Sequence, residues 1–122
     1  DHGSTFGGNP VACAAGLVVL DQVFRNGFVN QVASLGKYFK SELELIREKH
    51  PNKIVEVRGL GFMLGVELFE PCTNLIKEFR DKGILINCTN ENVLRILPPL
   101  ISTKENIDYF LNIFNEILRD NT

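Results

Sequence analysis

The chain has 122 residues, 44% of them hydrophobic and 23% charged, and its formal net charge is −2. A domain of this length buries about two thirds of the surface that its unfolded chain would expose, so it can build a core without disulfides. The scattered charges form no basic field that would attract nucleic acid, and no apolar run reaches the ~20 residues that cross a bilayer. We therefore expect neither nucleic acid nor a membrane as a partner.

Three cysteines, Cys13, Cys72 and Cys88, lie far apart and form no pattern typical of zinc or of a redox pair. They predict free thiols in a reducing cytosol and hence a cytoplasmic protein. The chain begins with Asp1 and its one methionine is Met63, while the opening segment is unlike a signal peptide. We expect these first residues to come from the middle of a longer polypeptide.

The first predicted helix runs from Pro10 to Arg25, after a loop at residues 1–8. Asn9 can cap it, and Pro10 supplies a favourable φ at the first helical position. Its apolar side chains surround nearly the whole cylinder, which favours burial on more than one side. This helix should therefore need a large partner surface.

A second helix is predicted after Asn26-Gly27, because apolar residues from Phe28 to Ile46 recur at spacings of three and four. It should end before Pro51, since the residue before a proline disfavours helical geometry. Beyond it, short strands and helices alternate. In chain order these are strands at Ile54–Val57 and Phe62–Leu68, a helix at Asn74–Lys82, strands at Ile84–Asn87 and Val93–Leu97, and a C-terminal helix.

The last helix should start at a capping box formed by Ser102 and Glu105. The order of elements predicts an α+β fold, with a small antiparallel sheet of four strands in two hairpins. Helices should cover one face of this sheet.

The glycine-rich loop before the first helix is one candidate binding site. Its glycines free the backbone to approach an anion, Ser4 and Thr5 offer hydroxyl groups, and a helix N-terminus follows. This combination suits a phosphate. An ordinary helix-capping loop has a similar composition, so the residues alone leave both interpretations open.

Two arginines are further candidates. Strand alternation places Arg95 on the same face as Val93 and Leu97, among apolar neighbours, where it needs an anion. A substrate carboxylate or an internal ion pair would serve, and the second is favoured on the residues alone. Arg58 is predicted to be a solvated arginine in the turn at residues 58–61.

Five segments together resemble a known family: His2–Pro10, Ala12–Leu20, Arg58–Glu67, Asn87–Thr89 and Val93–Leu100. In this order they resemble the C-terminal part of class III pyridoxal-phosphate aminotransferases over essentially the whole chain. The likeness is greatest to members that act on N-acetylornithine. The resemblance implies the C-terminal small domain of a fold type I enzyme at residues 27–122. Residues 1–26 would be an interface loop and a linking helix that packs on a large domain.

The resemblance also implies roles for three residues. Thr5 would bind the phosphate of pyridoxal 5'-phosphate held by the second subunit of a homodimer, and Ser4 would lie beside the acylated substrate. Arg95 would grip the α-carboxylate of glutamate or 2-oxoglutarate. Phe6 stands where relatives often have tyrosine, so we assign it no polar role.

The implied reaction transfers the terminal amino group of N-acetylornithine to 2-oxoglutarate, in arginine biosynthesis. The family's Schiff-base lysine would lie upstream, so we expect no catalytic or metal-binding residue in this chain and no activity from it alone. Alternatives are an ornithine, succinylornithine or 4-aminobutyrate aminotransferase. A non-catalytic module that binds an anion or a partner protein is a further alternative.

Overall fold

The computed structural model describes residues 3–25 and 27–120. Predictions that fall on Asp1, His2 and Asn26 lie outside these ranges. The chain divides into two compact units, residues 1–31 and 32–122. Its elements are α1 (Pro10–Val23), α2 (Phe28–Lys49), β1 (Ile54–Leu60), β2 (Met63–Leu68), α3 (Thr73–Asp81), β3 (Asn87–Thr89), β4 (Val93–Ile96) and α4 (Lys104–Asp120).

Helix α1 begins where the sequence predicts. The Asn9 side chain accepts a hydrogen bond of 3.0 Å from the Ala12 amide, and Pro10 occupies the first turn. None of the residues of α1 is buried, and Val11 and Phe24 are each 80% exposed. The apolar surface that the sequence predicts to be covered is thus open to solvent in this chain. No single helix in the described ranges is both long and apolar enough to span a membrane, although α1 and α2 pass that test jointly as a bent pair.

The four strands form one antiparallel sheet in the order β1-β2-β4-β3. Both predicted hairpins are present, and the pairing of β2 with β4 joins them. The fold is α+β, as the order of elements predicts. The side chains of Val57, Val66 and Leu94 are buried on one face, where they join the core with residues from α2, α3 and α4.

Five strand boundaries differ from the predictions by one to three residues, and the largest differences are at the end of β1 and the start of β3. Strand β1 continues to Leu60, so Arg58 lies in a strand and the turn consists of residues 61–62. Strand β3 starts at Asn87 instead of Ile84. Asn90 and Glu91 both have positive φ, and their tight turn places Thr89 opposite Val93. The apolar run at residues 84–86 therefore precedes the ladder.

The cap of α4 is displaced by one residue from the predicted box. The Thr103 amide donates to the Asn106 side-chain oxygen at 2.9 Å, so Thr103 and Asn106 form the cap that was predicted for Ser102 and Glu105. A hydrogen bond from the Thr103 side chain lowers the pKa of Glu105. The cap has the predicted type, a hydroxyl residue followed three positions later by a side-chain acceptor, but it starts one residue later in the chain.

The prediction of three free thiols is wrong for two of them. Cys72 and Cys88 form a disulfide, with their Cα atoms 5.8 Å apart, whereas Cys13 is free and exposed. Strand alternation directs Cys88 towards the core face, since its partner Leu94 is buried. Cys72 is fully buried at the start of α3. The bond thus joins α3 to the edge strand β3.

Candidate functional site

One face of the sheet carries a row of residues that crosses all four strands. Arg58 on β1 lies opposite Gly65 on β2, Gly65 lies opposite Arg95 on β4, and Arg95 lies opposite Asn87 on β3. Directly opposed residues point to the same face of a sheet. The neighbouring row, which contains Val66 and Leu94, faces the core. Arg58 and Arg95 therefore share the face away from the core, which we call the open face.

Arg95 is exposed on the open face. Its guanidinium makes no hydrogen bond or ion pair with any residue in 3–25 or 27–120, so the internal ion pair that the residues alone favoured is not formed there. Val93 beside it is 8% exposed, but Leu97 is 56% exposed, so the predicted apolar surroundings are present on one side.

A cavity of about 530 Å³ adjoins Arg95. Its walls come from the segment before β3, the segment after β4 and the first turns of α4, including Ile84, Leu97, Pro98 and Tyr109. Core residues Phe39, Ile96 and Ile107 also line the cavity, so it lies on the side of the sheet that the helices cover, whereas Arg95 belongs to the open face. The sequence places these segments near Arg95 in the chain, but their convergence depends on the sheet order.

Arg58 is a paired residue of the strand and not a solvated turn residue. Its guanidinium donates to a Glu67 carboxylate oxygen at 2.5 Å and to a Glu56 carboxylate oxygen at 2.7 Å. These bonds, with Glu67 contributing most, raise the pKa of Arg58. Sequence reasoning missed this triad, because it ended β1 at Val57. A longer strand would have placed Glu56 and Arg58 on one face by alternation.

The loop before α1 forms a turn at residues 5–8. The Gly7 amide donates to the Ser4 carbonyl and the Asn9 amide donates to the Phe6 carbonyl, both at 3.3 Å. Ser4 and Thr5 are exposed, and neither hydroxyl bonds to another described residue. These hydroxyls, followed by the N-terminus of α1, are groups that can bind an anion. They belong to the unit of residues 1–31, whereas Arg95 belongs to the second unit.

Known proteins similar to this chain include several aminotransferases. The family Aminotransferase class-III matches residues 1–118. An acetylornithine aminotransferase from Caldanaerobacter subterraneus subsp. tengcongensis is 48% identical over 98% of this chain.

Solved structures agree with this relationship. An acetylornithine aminotransferase from Elizabethkingia anophelis is 33% identical with a TM-score of 0.87, and covers 98% of this chain and 31% of its own. An ornithine aminotransferase from Toxoplasma gondii is 29% identical with a TM-score of 0.85, and covers 98% of this chain and 29% of its own.

The chain spans about 30% of the length of the curated relative from Caldanaerobacter. The family match, however, extends over nearly all of the chain, and the four-stranded sheet with its helices is reproduced in the solved relatives. The chain therefore belongs to the class III aminotransferase family.

Proposed function

We propose that this chain is the C-terminal part of a pyridoxal-phosphate-dependent enzyme that transfers the terminal amino group of N-acetylornithine to 2-oxoglutarate, a step of arginine biosynthesis. The names of the relatives that are 40–48% identical support this substrate. Since the chain spans about 30% of the Caldanaerobacter relative, the activity belongs to a longer polypeptide. The observation that carries the proposal is the exposed guanidinium of Arg95, which has no partner among the described residues.

Arg95 binds the α-carboxylate of glutamate or 2-oxoglutarate in this proposal. The planar guanidinium can donate two parallel N–H bonds to a carboxylate, which fixes the orientation as well as the position of the ligand. Such a contact converts binding energy into alignment of the reacting amine or ketone.

Thr5 and Ser4 take the cofactor side of the site. Pyridoxal 5'-phosphate, when bound, supplies the electron sink for amino-group transfer. The residues present suit its phosphate, because the Thr5 hydroxyl is exposed, has no partner among the described residues and precedes a helix N-terminus. Thr5 would donate to a phosphate oxygen of the cofactor held by the second subunit, and Ser4 would contact the acylated substrate.

The isolated chain should be inactive, because we assign the Schiff-base role to none of its lysines. Lys82 and Lys104 form ion pairs with Glu116 and Asp108, each at 2.6 Å, and Lys53 bonds to the carbonyl of Leu118. The four remaining lysines follow no pattern that would let one of them replace the family's Schiff-base lysine. They lie at positions 37, 40, 49 and 77. A transamination assay of the chain alone tests this expectation, and turnover above the buffer rate would contradict it.

The complete enzyme is, in this proposal, a cytoplasmic homodimer in which α1 packs on the large domain and on the second subunit. The exposed apolar residues of α1 support this arrangement, since none of them is covered within the chain. Residues 1–26 would form this interface segment, and residues 27–122 the small domain.

The main experiment replaces Arg95 in the full-length enzyme. Arg95→Gln should weaken the glutamate half-reaction, followed by cofactor absorbance, by about 2 to 5 kcal/mol in kcat/KM if the carboxylate pair is desolvated. Arg80→Gln is the matched control, because Arg80 is exposed on α3 and its side chain makes no hydrogen bond or ion pair with another described residue. An unaltered half-reaction in the Arg95 variant would remove the assignment.

A second experiment tests Thr5. Thr5→Ala should weaken retention of pyridoxal phosphate during dialysis, whereas Thr5→Ser keeps a hydroxyl and should retain the cofactor. Equal retention by the alanine variant and the original enzyme would exclude the phosphate contact.

Ornithine is the second candidate substrate, because the ornithine aminotransferase from Toxoplasma gondii has nearly the same TM-score as the acetylornithine enzyme from Elizabethkingia anophelis. The kcat/KM values of the full-length enzyme for N-acetylornithine and ornithine decide between them. A higher value for ornithine would replace the proposed donor.

A further inference from the structure

Glu67 is the carboxylate of the open face that lies nearest to Arg95 in the register of the sheet. Gly65 pairs with Arg95, and Glu67, two residues along β2, pairs with Val93. Glu67 and Arg95 are therefore diagonal neighbours on adjacent strands. Such positions are about 7–8 Å apart and long side chains can bridge them. Glu67 nevertheless bonds to Arg58, on the opposite side of β2, and not to Arg95.

The contacts of Arg58 explain this choice of partner. Its guanidinium binds Glu67 at 2.5 Å and Glu56 at 2.7 Å, so one arginine engages two carboxylates. Arginine suits this role, because its five N–H groups form a planar fork with room for more than one acceptor. The bonds direct the Glu67 carboxylate towards β1 and away from β4.

The position between the two arginines is Gly65. A Cβ atom there would lie 3.4 Å from a Val93 methyl group and 3.8 Å from the Arg58 side chain, so the space fits a side chain but holds none. Arg58 and Arg95 are the two basic residues in the described strands. If Arg58 were replaced, Arg95 would be the one basic residue left in the described strands with which Glu67 could pair. No side chain at position 65 would separate the two.

We propose that Arg58 is a positioning residue that holds Glu67 away from Arg95 and so keeps the Arg95 guanidinium available to a substrate carboxylate. This inference rests on the proposed role of Arg95. Without Arg58, Glu67 pairs with Arg95 and competes with the substrate. The affinity for the carboxylate then falls, while the chemistry on bound substrate is unchanged.

The test uses the full-length holoenzyme and the variant Arg58→Leu. The KM for 2-oxoglutarate should rise about threefold to fivefold, the scale of an exposed ion pair, with kcat unchanged. Titration calorimetry with glutarate, a dicarboxylate that cannot react, should show the same loss without turnover. The double variant Arg58→Leu/Glu67→Gln should regain the original affinity, because the competing charge is gone.

Arg47→Leu is the matched control. Arg47 is also 43% exposed and also pairs with a glutamate, Glu44 at 2.9 Å, but it lies on α2. Its substitution should leave glutarate affinity unchanged. If Arg58→Leu fails to fold, as judged by its thermal transition, Arg58→Gln is measured with the same expectation.

The outcomes separate this inference from the proposed function. Unchanged glutarate affinity in the folded Arg58 variant overturns the inference, and so does a loss that Glu67→Gln does not restore, since Arg58 would then act through the fold. Arg95→Gln is measured alongside. If it weakens glutarate binding while the Arg58 variant does not, only the positioning role fails. If Arg95→Gln leaves glutarate binding unchanged, the proposed function of Arg95 fails as well.

Discussion

Substitution of Gly36 by alanine should destabilise the unit of residues 32–122, although alanine is the better helix former. Gly36 is buried on α2 against the turn between β1 and β2. A Cβ atom there would lie 2.6 Å from both the Cα and the carbonyl oxygen of Gly61. These are backbone atoms, so no side-chain rotation relieves the overlap, and the helix or the hairpin must move.

The magnitude follows from two opposing contributions. Alanine in a helix interior gains about 1 kcal/mol over glycine. Overpacking of a buried contact costs about 1–3 kcal/mol, and contacts with backbone place this one at the upper end. The net loss should be about 2 kcal/mol, or a decrease in Tm of about 8–16 °C for a unit of this size.

Urea denaturation followed by circular dichroism measures this loss as a lower midpoint with an unchanged m-value. Gly16→Ala is the control, because Gly16 lies inside α1 and a Cβ atom there meets nothing within 4 Å. The control should not lower the midpoint. A Gly36→Ala midpoint equal to or above that of the original chain would refute the close contact.

Three more predictions concern stability. Reduction of the Cys72–Cys88 bond, which closes a loop of 16 residues, should lower the free energy of unfolding by about 3 kcal/mol, measured in urea with and without dithiothreitol. Coincident curves would contradict it. Phe114→Ala should cost about 3–5 kcal/mol in the same assay, because Phe114 is fully buried; a smaller loss would mean that the site collapses. Lys104 lowers the pKa of Asp108. This contribution is present above the unfolded pKa and lost as pH falls below about 4, so Asp108→Asn should flatten the acid decrease in Tm; parallel Tm profiles would oppose it.

The helices were predictable because local signals define them. Asn9-Pro10 marks the start of α1, and the apolar spacing from Phe28 marks α2 over its full length. The Thr103 cap was displaced by one residue, because neighbouring Ser and Thr offer the same hydroxyl chemistry. Which of them caps depends on the backbone around Pro99 and on the packing of α4.

The sheet and the site depended on contacts that composition does not encode. The pairing of β2 with β4 joins residues such as Leu64 and Ile96, and no local pattern specifies it. The bond between Cys72 and Cys88 requires two Cβ atoms to face each other, which follows only from the placement of α3 against β3. The strand position of Arg95 was predictable from alternation and its role remains a proposal, whereas the ion pairs of Arg58 needed the correct end of β1.

The place of β4 inside the sheet bears on the thermodynamics of recognition. Arg95 lies on a strand that pairs with β2 on one side, where Gly65 is opposite it, and with β3 on the other, where Asn87 is opposite it. If Arg95 binds a carboxylate as proposed, that binding immobilises one long side chain on a main chain already held on both sides, so the entropic penalty falls mainly on that side chain. A carboxylate anchor on an inner strand is in this sense pre-organised, with its stem directed before the ligand arrives.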